Sequence, residues 1–277
     1  MQYVLNLFRQ TLNGVQPPSE ARELALWTLE ELTGMSRTEL LLHKDSVFPS
    51  EIHQKASLAA SRIASGEPIQ YVFGYTMFMG LRIDVDRSVL IPRPETAELV
   101  SLVLTENTSG RLTCIDLATG SGCIALALKH RQPSWDIRAF DLLPEPIEMA
   151  RHNASRLNLH VDLYVHDMFQ PFDFQEADII VSNPPYIPQS EAAQMEPNVL
   201  QHEPHTALFV PDDDPLICYR ALAQRAKESL KPGGRIYMET HCRLAHDVAG
   251  MMTGQGLRNV RVCRDLSGND RIVRAEK

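Results

Sequence analysis

The sequence predicts an α/β fold: a doubly wound, mainly parallel sheet with an antiparallel edge, joined to a small all-α N-terminal domain. Two observations support this prediction. From about residue 95 onward, short apolar runs alternate with helical patterns, as in sheets covered by helices on both faces. Before about residue 70, apolar side chains instead recur at helical spacing. A chain of 277 residues is long enough for a medium domain with a small companion.

The N-terminal region carries the start and stop signals of short helices. One helical pattern ends at Gly34, and Ser36 with Glu39 predicts a capping box for the next helix. A further helix ends at Gly66. Because no group of reactive side chains accompanies these helices, we expect residues 1–72 to form a bundle that packs against or recognises a partner.

The pattern changes where the helical region ends. Residues 78–86 alternate apolar and polar side chains after a glycine, which predicts a β-hairpin. We therefore predict a hairpin linker at 73–92, followed by a larger domain at 93–277.

The larger domain is predicted to alternate strands with helices. The predicted strands are 112–117, 136–141, 161–166, 177–182, 234–240, 258–264 and 271–275. The predicted helices are 95–106, 122–131, 144–157, 215–230 and 243–254. The last two strands have little sequence between them, and this short connection predicts the antiparallel edge of the sheet.

Composition limits the classes of protein that the chain can represent. Hydrophobic residues make up 44% and charged residues 22% of the sequence, as in soluble globular proteins. The formal charge of −8 argues against broad affinity for nucleic acid, which needs Lys and Arg to neutralise phosphates. No apolar run approaches the roughly 20 residues that span a bilayer. We therefore expect neither a membrane span nor stable nucleic-acid binding.

The N-terminus and the cysteines predict a cytoplasmic protein without a metal site. The first ten residues lack the basic start and the small-residue cleavage site of a secretory signal. Five scattered cysteines favour reduced thiols over disulfides or zinc. The segment His202-Glu203-Pro204-His205 has the wrong spacing for two histidine ligands on one helical face, and its proline would break the helix.

The segment Asn183-Pro184-Pro185-Tyr186 is the most informative feature of the chain. It follows the apolar run 178–182, so a buried strand is expected to stop there. The two prolines hold the backbone extended and have no N–H to donate. The Asn183 carboxamide and the Pro184 carbonyl can therefore face one small planar group that carries an NH2, beside the ring of Tyr186. The pattern predicts chemistry at an amide or amine nitrogen.

A glycine turn marks a second candidate site. Within 114–125, a strand leads into a turn with two glycines and then into a helix. Glycines let a ligand approach the backbone closely, and the helix N-terminus offers unpaired N–H groups. Gly120, Gly122 and Ala125 fit a Gly-x-Gly-x-x-Ala pattern, which taken alone suggests a dinucleotide.

Two acids narrow the choice of cofactor. Asp141 ends the strand 136–141, where a carboxylate can accept both hydroxyls of a ribose. Asp167 follows the next strand and can accept the exocyclic amine of adenine, with Met168 against the ring. In a doubly wound sheet the ends of successive strands line one crevice, so these side chains are expected to share a site.

Together these motifs resemble a class I S-adenosylmethionine-dependent methyltransferase, which has a Rossmann-like fold. They are most similar to the HemK/PrmC family, which methylates the glutamine side-chain nitrogen of the GGQ motif in class 1 peptide-chain release factors. The resemblance covers about 200 residues in the same order and includes a helical N-terminal domain, here expected to recognise the substrate. The further matching segments are 70–74, 90–96, 203–208, 264–265 and 269–271.

The resemblance implies a role for each site residue. The methionine part of S-adenosyl-L-methionine would be held by Asp116, Ala118, Thr119, Gly120, Ser121 and Gly122. Asp141 would hold the ribose, and Asp167 with Met168 the adenine. The substrate amide would contact Asn183, Pro184, Pro185 and Tyr186, of which Asn183, Pro184 and Tyr186 would be catalytic and Asn183 would also border the cofactor.

Three positions depart from the usual pattern of the family. The family usually has glycine at the position of Ala118 and a larger aromatic at that of Met168. An acid commonly follows the threonine of the Pro-Arg-Pro segment, where this chain has Ala97 and then Glu98. None of these changes removes a group that methyl transfer needs, but each can alter the affinity for the cofactor.

The chemistry implied by the resemblance follows from the weakness of the nucleophile. An amide nitrogen attacks poorly because its lone pair is delocalised into the carbonyl. By accepting hydrogen bonds from both N–H groups, Asn183 Oδ1 and the Pro184 carbonyl would orient the nitrogen and raise its electron density. The same acceptors would stabilise positive charge as it forms on nitrogen. No strong base is needed, because the methylated nitrogen loses its proton easily.

Three other functions stay open from the sequence alone. A DNA adenine or other base-amine methylase shares the Asn-Pro-Pro-Tyr segment but would need base flipping and a basic groove. A nicotinamide-dependent oxidoreductase fits the glycine pattern but leaves that segment unexplained. A non-catalytic scaffold would use the helical domain as its partner surface.

Overall fold

The computed structural model describes residues 1–108, 110–171 and 176–277, which divide into two compact units. The first unit comprises Met1–Gly74 and Glu196–His202, and the second comprises Tyr75–Met195 and Glu203–Lys277. The seven residues Glu196–His202 therefore belong to the helical unit, although the segments before and after them in sequence belong to the larger unit. Among the described residues, no helix combines the length and the apolar character that crossing a membrane requires.

The elements are numbered in chain order within each class. The helices are α1 Gln2–Thr11, α2 Pro18–Thr33, α3 Arg37–Leu42, α4 Ser50–Ala64, α5 Ile69–Phe73, α6 Pro94–Glu106, α7 Cys123–Arg131, α8 Pro144–Leu157, α9 Pro197–His202, α10 Ile217–Ser229 and α11 Ala245–Gly254. The strands are β1 Tyr75–Phe78, β2 Leu81–Asp84, β3 Thr113–Leu117, β4 Asp136–Asp141, β5 Asp162–Val165, β6 Ala177–Ser182, β7 Ile187–Pro188, β8 Phe209–Val210, β9 Leu230–Glu239, β10 Arg258–Arg264 and β11 Asp270–Glu276.

The helical unit buries apolar side chains from α1, α2 and α4 in one core. Phe8, Leu26 and Leu29 are at most 1% exposed, and small side chains of α4 pack among them. The predicted capping box at the start of α3 is confirmed. The Ser36 hydroxyl accepts a hydrogen bond from the Glu39 N–H at 3.3 Å, and the Glu39 carboxylate accepts one from the Ser36 N–H at 2.8 Å.

The larger unit contains a seven-stranded sheet in the order β10-β11-β9-β6-β3-β4-β5. The five strands from β9 to β5 are mutually parallel, while β11 pairs antiparallel with both β9 and β10. The predicted doubly wound α/β fold with an antiparallel edge is confirmed. The structure adds that the last strand of the chain lies inside the sheet, between β9 and β10.

The centre of the sheet is apolar on both sides, as expected for parallel strands covered by helices. Ile115, Ile180 and Ile236 lie next to one another across β3, β6 and β9, and each is at most 2% exposed. At the carboxyl ends of β3 and β6, the Ser182 hydroxyl donates to the Leu117 carbonyl at 2.6 Å. This bond fixes the point at which the Asn183 segment leaves the sheet.

Every strand and helix predicted for the larger domain forms, with ends within about four residues of the prediction. The largest difference is at β9, which begins at Leu230 although the sequence 231–234 is typical of a turn. Leu230 pairs with Ala177 before the register shifts, so the strand tolerates an irregular start. The predicted hairpin also forms, with β1 and β2 antiparallel. The short elements β7, β8 and α9 were missed, because two to six residues are too few for a periodic signal.

Candidate active site

A cavity of about 300 Å³ opens at the carboxyl ends of the parallel strands in the larger unit. Its volume is at the lower end of the range of roughly 300–1,000 Å³ for small-molecule sites. The predicted site residues that line it are Ala118, Thr119, Gly120, Ser121, Asp141, Asp167, Met168, Asn183 and Pro185. The structure therefore brings the glycine turn, both strand-end acids and the Asn183 segment to one space.

Four predicted site residues do not belong to the described lining of the cavity. Asp116 is fully buried beneath the turn, and Gly122 begins the following helix. Pro184 is buried, and the Tyr186 side chain is directed to a carboxylate of β9. Tyr186 thus acts on the cavity through the carboxylate that it contacts.

Asp116 ties β3 to the helix that follows the turn. One carboxylate oxygen, Oδ2, accepts hydrogen bonds from the Thr119 hydroxyl at 2.6 Å and from the Ala125 N–H at 3.2 Å. The other oxygen, Oδ1, is buried without a hydrogen-bond partner among the described residues. Burial raises the pKa of this carboxyl to about 7, against the two hydrogen bonds that lower it. An unpaired buried acceptor of this kind suits a cationic ammonium ligand.

The turn itself uses a left-handed backbone at three positions. Ala118 has φ 58°, Gly120 has φ 54° and Gly122 has φ 80°. A Cβ at Gly120 would meet no atom within 4 Å, whereas a Cβ at Gly122 would lie 3.0 Å from that of Ala150 on α8. Gly120 therefore leaves open space beside the cavity, and Gly122 allows α7 and α8 to pack closely. Ala118 adopts the conformation that a glycine would adopt without strain.

Asp141 closes the turn from the neighbouring strand. Its Oδ2 accepts the Gly120 N–H at 2.8 Å and its Oδ1 accepts the Leu143 N–H at 3.4 Å. Burial raises the pKa of Asp141, although these N–H groups oppose the shift. Each carboxylate oxygen has a second lone pair, so the acid can also accept hydroxyl groups from a ligand.

Residues that follow Asp141 and Asp167 add apolar side chains to the lining of the cavity. Asp167 Oδ1 accepts the Phe169 N–H at 2.9 Å, which shapes the turn after β5. Leu142, Met168 and Phe169 line the cavity beside this acid. The apolar side chains can cover the faces of a flat ring while Asp167 contacts its edge. The sequence reading missed Leu142 and Phe169, although each directly follows a predicted site residue.

The Asn183 side chain is held by a series of buried hydrogen bonds. Its Nδ2 donates to the Thr96 hydroxyl at 3.1 Å, and that hydroxyl donates to Glu239 Oε2 at 2.7 Å. The Tyr186 hydroxyl donates to the other oxygen, Glu239 Oε1, at 3.0 Å. Burial and the nearby Glu239 charge raise the pKa of Tyr186, so this phenol stays protonated. Both outer residues of the Asn183 segment are thereby connected to the end of β9.

Sequence reasoning missed three residues that support the site. Thr96 lies in the first turn of α6 and Glu239 ends β9, and both are at most 2% exposed. A carboxylate at the end of a predicted parallel strand was a usable signal, since the carboxyl ends of parallel strands meet at one edge. Asn153 on α8 is fully buried, and its Nδ2 donates to the Ser121 carbonyl at 3.0 Å. No local pattern in the sequence distinguishes it from other helix residues.

A second contact joins two segments that are distant in sequence. The Glu203 carboxylate accepts the Ile91 N–H at 3.1 Å and forms an ion pair with Arg93. Only 1% of its side-chain surface is exposed. The Pro-Arg-Pro segment before α6 is thus fixed to the segment after α9, and both Arg93 and Thr206 line the cavity.

Two family models match the chain. The model of the PrmC N-terminal domain matches residues 4–74, and that of the methyltransferase small domain matches residues 95–205. The fold is similar to that of a methyltransferase of known structure from Pyrococcus furiosus, with a TM-score of 0.52 and 18% identity over 72% of this chain and 89% of that one. Fold and family models together define a class I methyltransferase.

Curated relatives narrow the assignment. A release factor glutamine methyltransferase of Bacteroides thetaiotaomicron is 38% identical over 279 residues, covering 100% of both chains. The protein of the same name in Streptococcus pneumoniae is 39% identical over 236 residues, covering 85% of this chain and 81% of its own. The chain belongs to the release factor glutamine methyltransferase family.

Proposed function

We propose that this protein transfers a methyl group from S-adenosyl-L-methionine to the side-chain amide nitrogen of the glutamine in the GGQ motif of class 1 peptide-chain release factors. The main observation is that Asn183 lines the same cavity as the glycine turn and Asp141. An acceptor for a substrate amide and a cradle for a cofactor therefore face one space. Family membership supports the same activity and does not favour base-amine methylation or nicotinamide-dependent oxidation.

The residues present fit the cofactor. The unpaired Asp116 Oδ1 offers a buried acceptor for an ammonium group, and the open space at Gly120 admits a ligand against the backbone. Asp116 and residues 118–122 would hold the methionine part, Asp141 the ribose, and Asp167 with Met168 the adenine. When bound, S-adenosyl-L-methionine supplies an electrophilic methyl group on a positively charged sulfur.

The chain's own residues make the amide nitrogen reactive. Asn183 Oδ1, on a residue that lines the cavity, would accept one N–H group of the glutamine. The resemblance assigns the other N–H group to the carbonyl of the buried Pro184, and the two hydrogen bonds would orient the nitrogen lone pair for attack. Transfer would form the new N–C bond as the S–C bond to the methyl group breaks and leaves a neutral thioether, and these oxygens would stabilise the positive charge on nitrogen. The methylated nitrogen then releases one proton to solvent and becomes neutral. Tyr186 fixes the segment through Glu239, and no side-chain nucleophile takes part.

The division into two units suggests that substrate recognition and methyl transfer belong to different parts of the chain. We propose that residues 1–72 recognise the release factor, that 73–92 link the units, and that 93–277 bind the cofactor and carry out transfer. The separate helical core and the match to the PrmC N-terminal domain over 4–74 support this division. Because release factors act in translation, we infer that the protein works in the cytoplasm. The absence of a metal site and the absence of stable binding to nucleic acid stay predictions from the sequence.

The direct test is methyl transfer to a purified class 1 release factor. With labelled S-adenosyl-L-methionine, we expect one methyl group on the GGQ glutamine by mass spectrometry, and none on a release factor with that glutamine changed to alanine. Asn183→Ala should lower kcat by at least about 100-fold, the scale for loss of one charge-stabilising group, while still binding the cofactor. Full activity in Asn183→Ala, or methylation of duplex DNA instead, would contradict the proposal.

A further inference from the structure

The direction in which the Asn183 carboxamide faces decides whether the site can work. Its oxygen accepts a substrate N–H, whereas its NH2 group would meet the substrate NH2 donor to donor. The two orientations fill the same space, so packing alone does not choose between them. We propose that Glu239 and Thr96 are positioning residues that select the productive orientation through a one-way series of hydrogen bonds. This inference rests on the proposed function, because it concerns the acceptor role of Asn183.

Glu239 is the accepting end of the series. It is 1% exposed, and its two oxygens receive hydroxyl donors from Thr96 at 2.7 Å and Tyr186 at 3.0 Å. An ionised carboxylate only accepts hydrogen bonds. Burial raises the pKa of Glu239, whereas the hydrogen bonds from Thr96 and Tyr186 oppose this shift. The positive charge of Arg271 on β11, which also pairs with Asp265, opposes it as well, so these three neighbours favour the ionised carboxylate. The hydroxyl groups of Thr96 and Tyr186 therefore both direct their protons toward Glu239.

Thr96 passes this constraint on to Asn183. A hydroxyl has one proton, and that of Thr96 is committed to Glu239 Oε2. Toward Asn183 the Thr96 oxygen can only accept, so the side chain must present Nδ2, as it does at 3.1 Å. The carboxamide is planar, and its Oδ1 is consequently turned away from Thr96. Since Asn183 lines the cavity, Oδ1 is left to receive a substrate N–H.

The series of hydrogen bonds requires a side chain at position 96 that can donate to Glu239 and accept from Asn183, as threonine does. A side chain able only to donate at position 96 would force Asn183 Oδ1 toward it and expose NH2 to the substrate. A side chain without polar atoms would leave both orientations similar in energy. Thr96 is 2% exposed, so water does not readily replace the missing partner. The hydroxyl thus acts on the reaction only through Asn183.

The test compares Thr96→Val with Thr96→Ser. Valine keeps the shape and removes the hydroxyl, while serine keeps the hydroxyl. We expect Thr96→Val to lower kcat by about 10- to 100-fold, the scale of a displaced reacting group. Its KM for the release factor and its dissociation constant for S-adenosyl-L-methionine should change much less, and Thr96→Ser should remain close to wild type. Thr105→Val on the same helix, far along from the site, is the matched control and should leave kcat unchanged.

Two outcomes of the kinetic comparison would overturn the inference. One is an unchanged kcat in Thr96→Val, and the other is an equal loss in Thr96→Ser and Thr96→Val. A second measurement needs no variant of Thr96: in wild type, nuclear Overhauser contacts should join the Asn183 NH2 protons to the Thr96 side chain. Their absence would also overturn it. The resonances are assigned by their loss in Asn183→Ala.

The same experiments separate this inference from the proposed function. If Asn183→Ala keeps full methyl transfer, the proposed role of Asn183 fails, whatever the orientation of its carboxamide. If Asn183→Ala is inactive and Thr96→Val is fully active, the proposed function stands and only the positioning role of Thr96 and Glu239 fails.

Discussion

The two halves of the cavity are built by different means. The half that we propose to bind the cofactor, called the cofactor half, is made from contiguous backbone: a strand, a turn at 118–122 and a helix, fixed by the acids Asp116 and Asp141. The half that we propose to bind the substrate, called the substrate half, depends on side chains that are far apart in sequence, since Asn183 is 87 residues from Thr96. The first half can be recognised from a short sequence pattern. The orientation of groups in the second half requires the folded sheet.

The two halves of the cavity also differ in the interactions that limit their stability. In the cofactor half, the unfavourable contributions to stability come from the left-handed backbone of the turn and from the burial of the Asp116 carboxyl group. The substrate half has no left-handed residue from Ser182 to Tyr186, and its requirement is a set of satisfied buried hydrogen bonds. Substitutions in the two halves should therefore produce different signatures in stability and in turnover.

The largest expected effect concerns the buried charge of Asp116. Its folded-state pKa of about 7 lies above the ordinary 3.8, so the folded protein binds this proton more tightly than the unfolded chain. The group's contribution is most favourable below about pH 4 and is lost as pH rises to about 7. Over that window the loss is on the order of 4 kcal/mol.

The matched comparison is Asp116→Asn, which cannot ionise there. The free energy of unfolding of this variant should rise relative to wild type as pH increases from about 4 to 7, as measured by urea unfolding at each pH. The same variant should bind S-adenosyl-L-methionine more weakly, because it lacks the negative charge. Parallel pH profiles for the two proteins would show that Asp116 does not titrate in this range.

The second prediction separates packing from backbone strain within the turn. Gly122→Ala must place a Cβ at φ 80° and 3.0 Å from that of Ala150, so we expect a loss of about 3 kcal/mol in the free energy of unfolding. Gly120→Ala carries similar strain but meets no atom within 4 Å, and should lose only about 1–2 kcal/mol. Its methyl group should instead weaken cofactor binding. Equal stability losses would contradict the packing role of Gly122.

The sequence predicts the cofactor half of the cavity better than the substrate half. The parallel sheet was predictable because short apolar runs such as those of β3 and β6 alternate with helical patterns, and because motifs follow strand ends at Asp141 and Asn183. Thr96 and Glu239 were not recognised, since their function arises from a hydrogen bond between α6 and β9 rather than from neighbours in sequence. Tyr186 was assigned to the site by its neighbours, but the path of its hydroxyl to Glu239 needed the structure.

The third prediction tests the substrate half through Tyr186. Tyr186→Phe removes one donor from the buried Glu239 carboxylate, which should lower the free energy of unfolding by about 1–3 kcal/mol. Because Thr96 still donates to Glu239, kcat should fall less than in Thr96→Val. The exposed Tyr3 provides the control, and Tyr3→Phe should change neither quantity. A kcat loss in Tyr186→Phe as large as in Thr96→Val would indicate that the phenol itself contacts the substrate.

The smallest effect concerns the departure from the family pattern at Ala118. At φ 58° an alanine side chain costs roughly 1–2 kcal/mol, and glycine would remove that strain while gaining unfolded-state entropy of about 0.4–1 kcal/mol. Ala118→Gly should therefore stabilise the protein by about 1 kcal/mol, measured as the midpoint of thermal unfolding. Asn158→Gly, at φ 53° on the C-cap of α8, is the matched control. Asparagine tolerates this conformation better than alanine, so its gain should be smaller. If Ala118→Gly instead destabilises the protein, the methyl group of Ala118 contributes packing that outweighs the strain of its backbone.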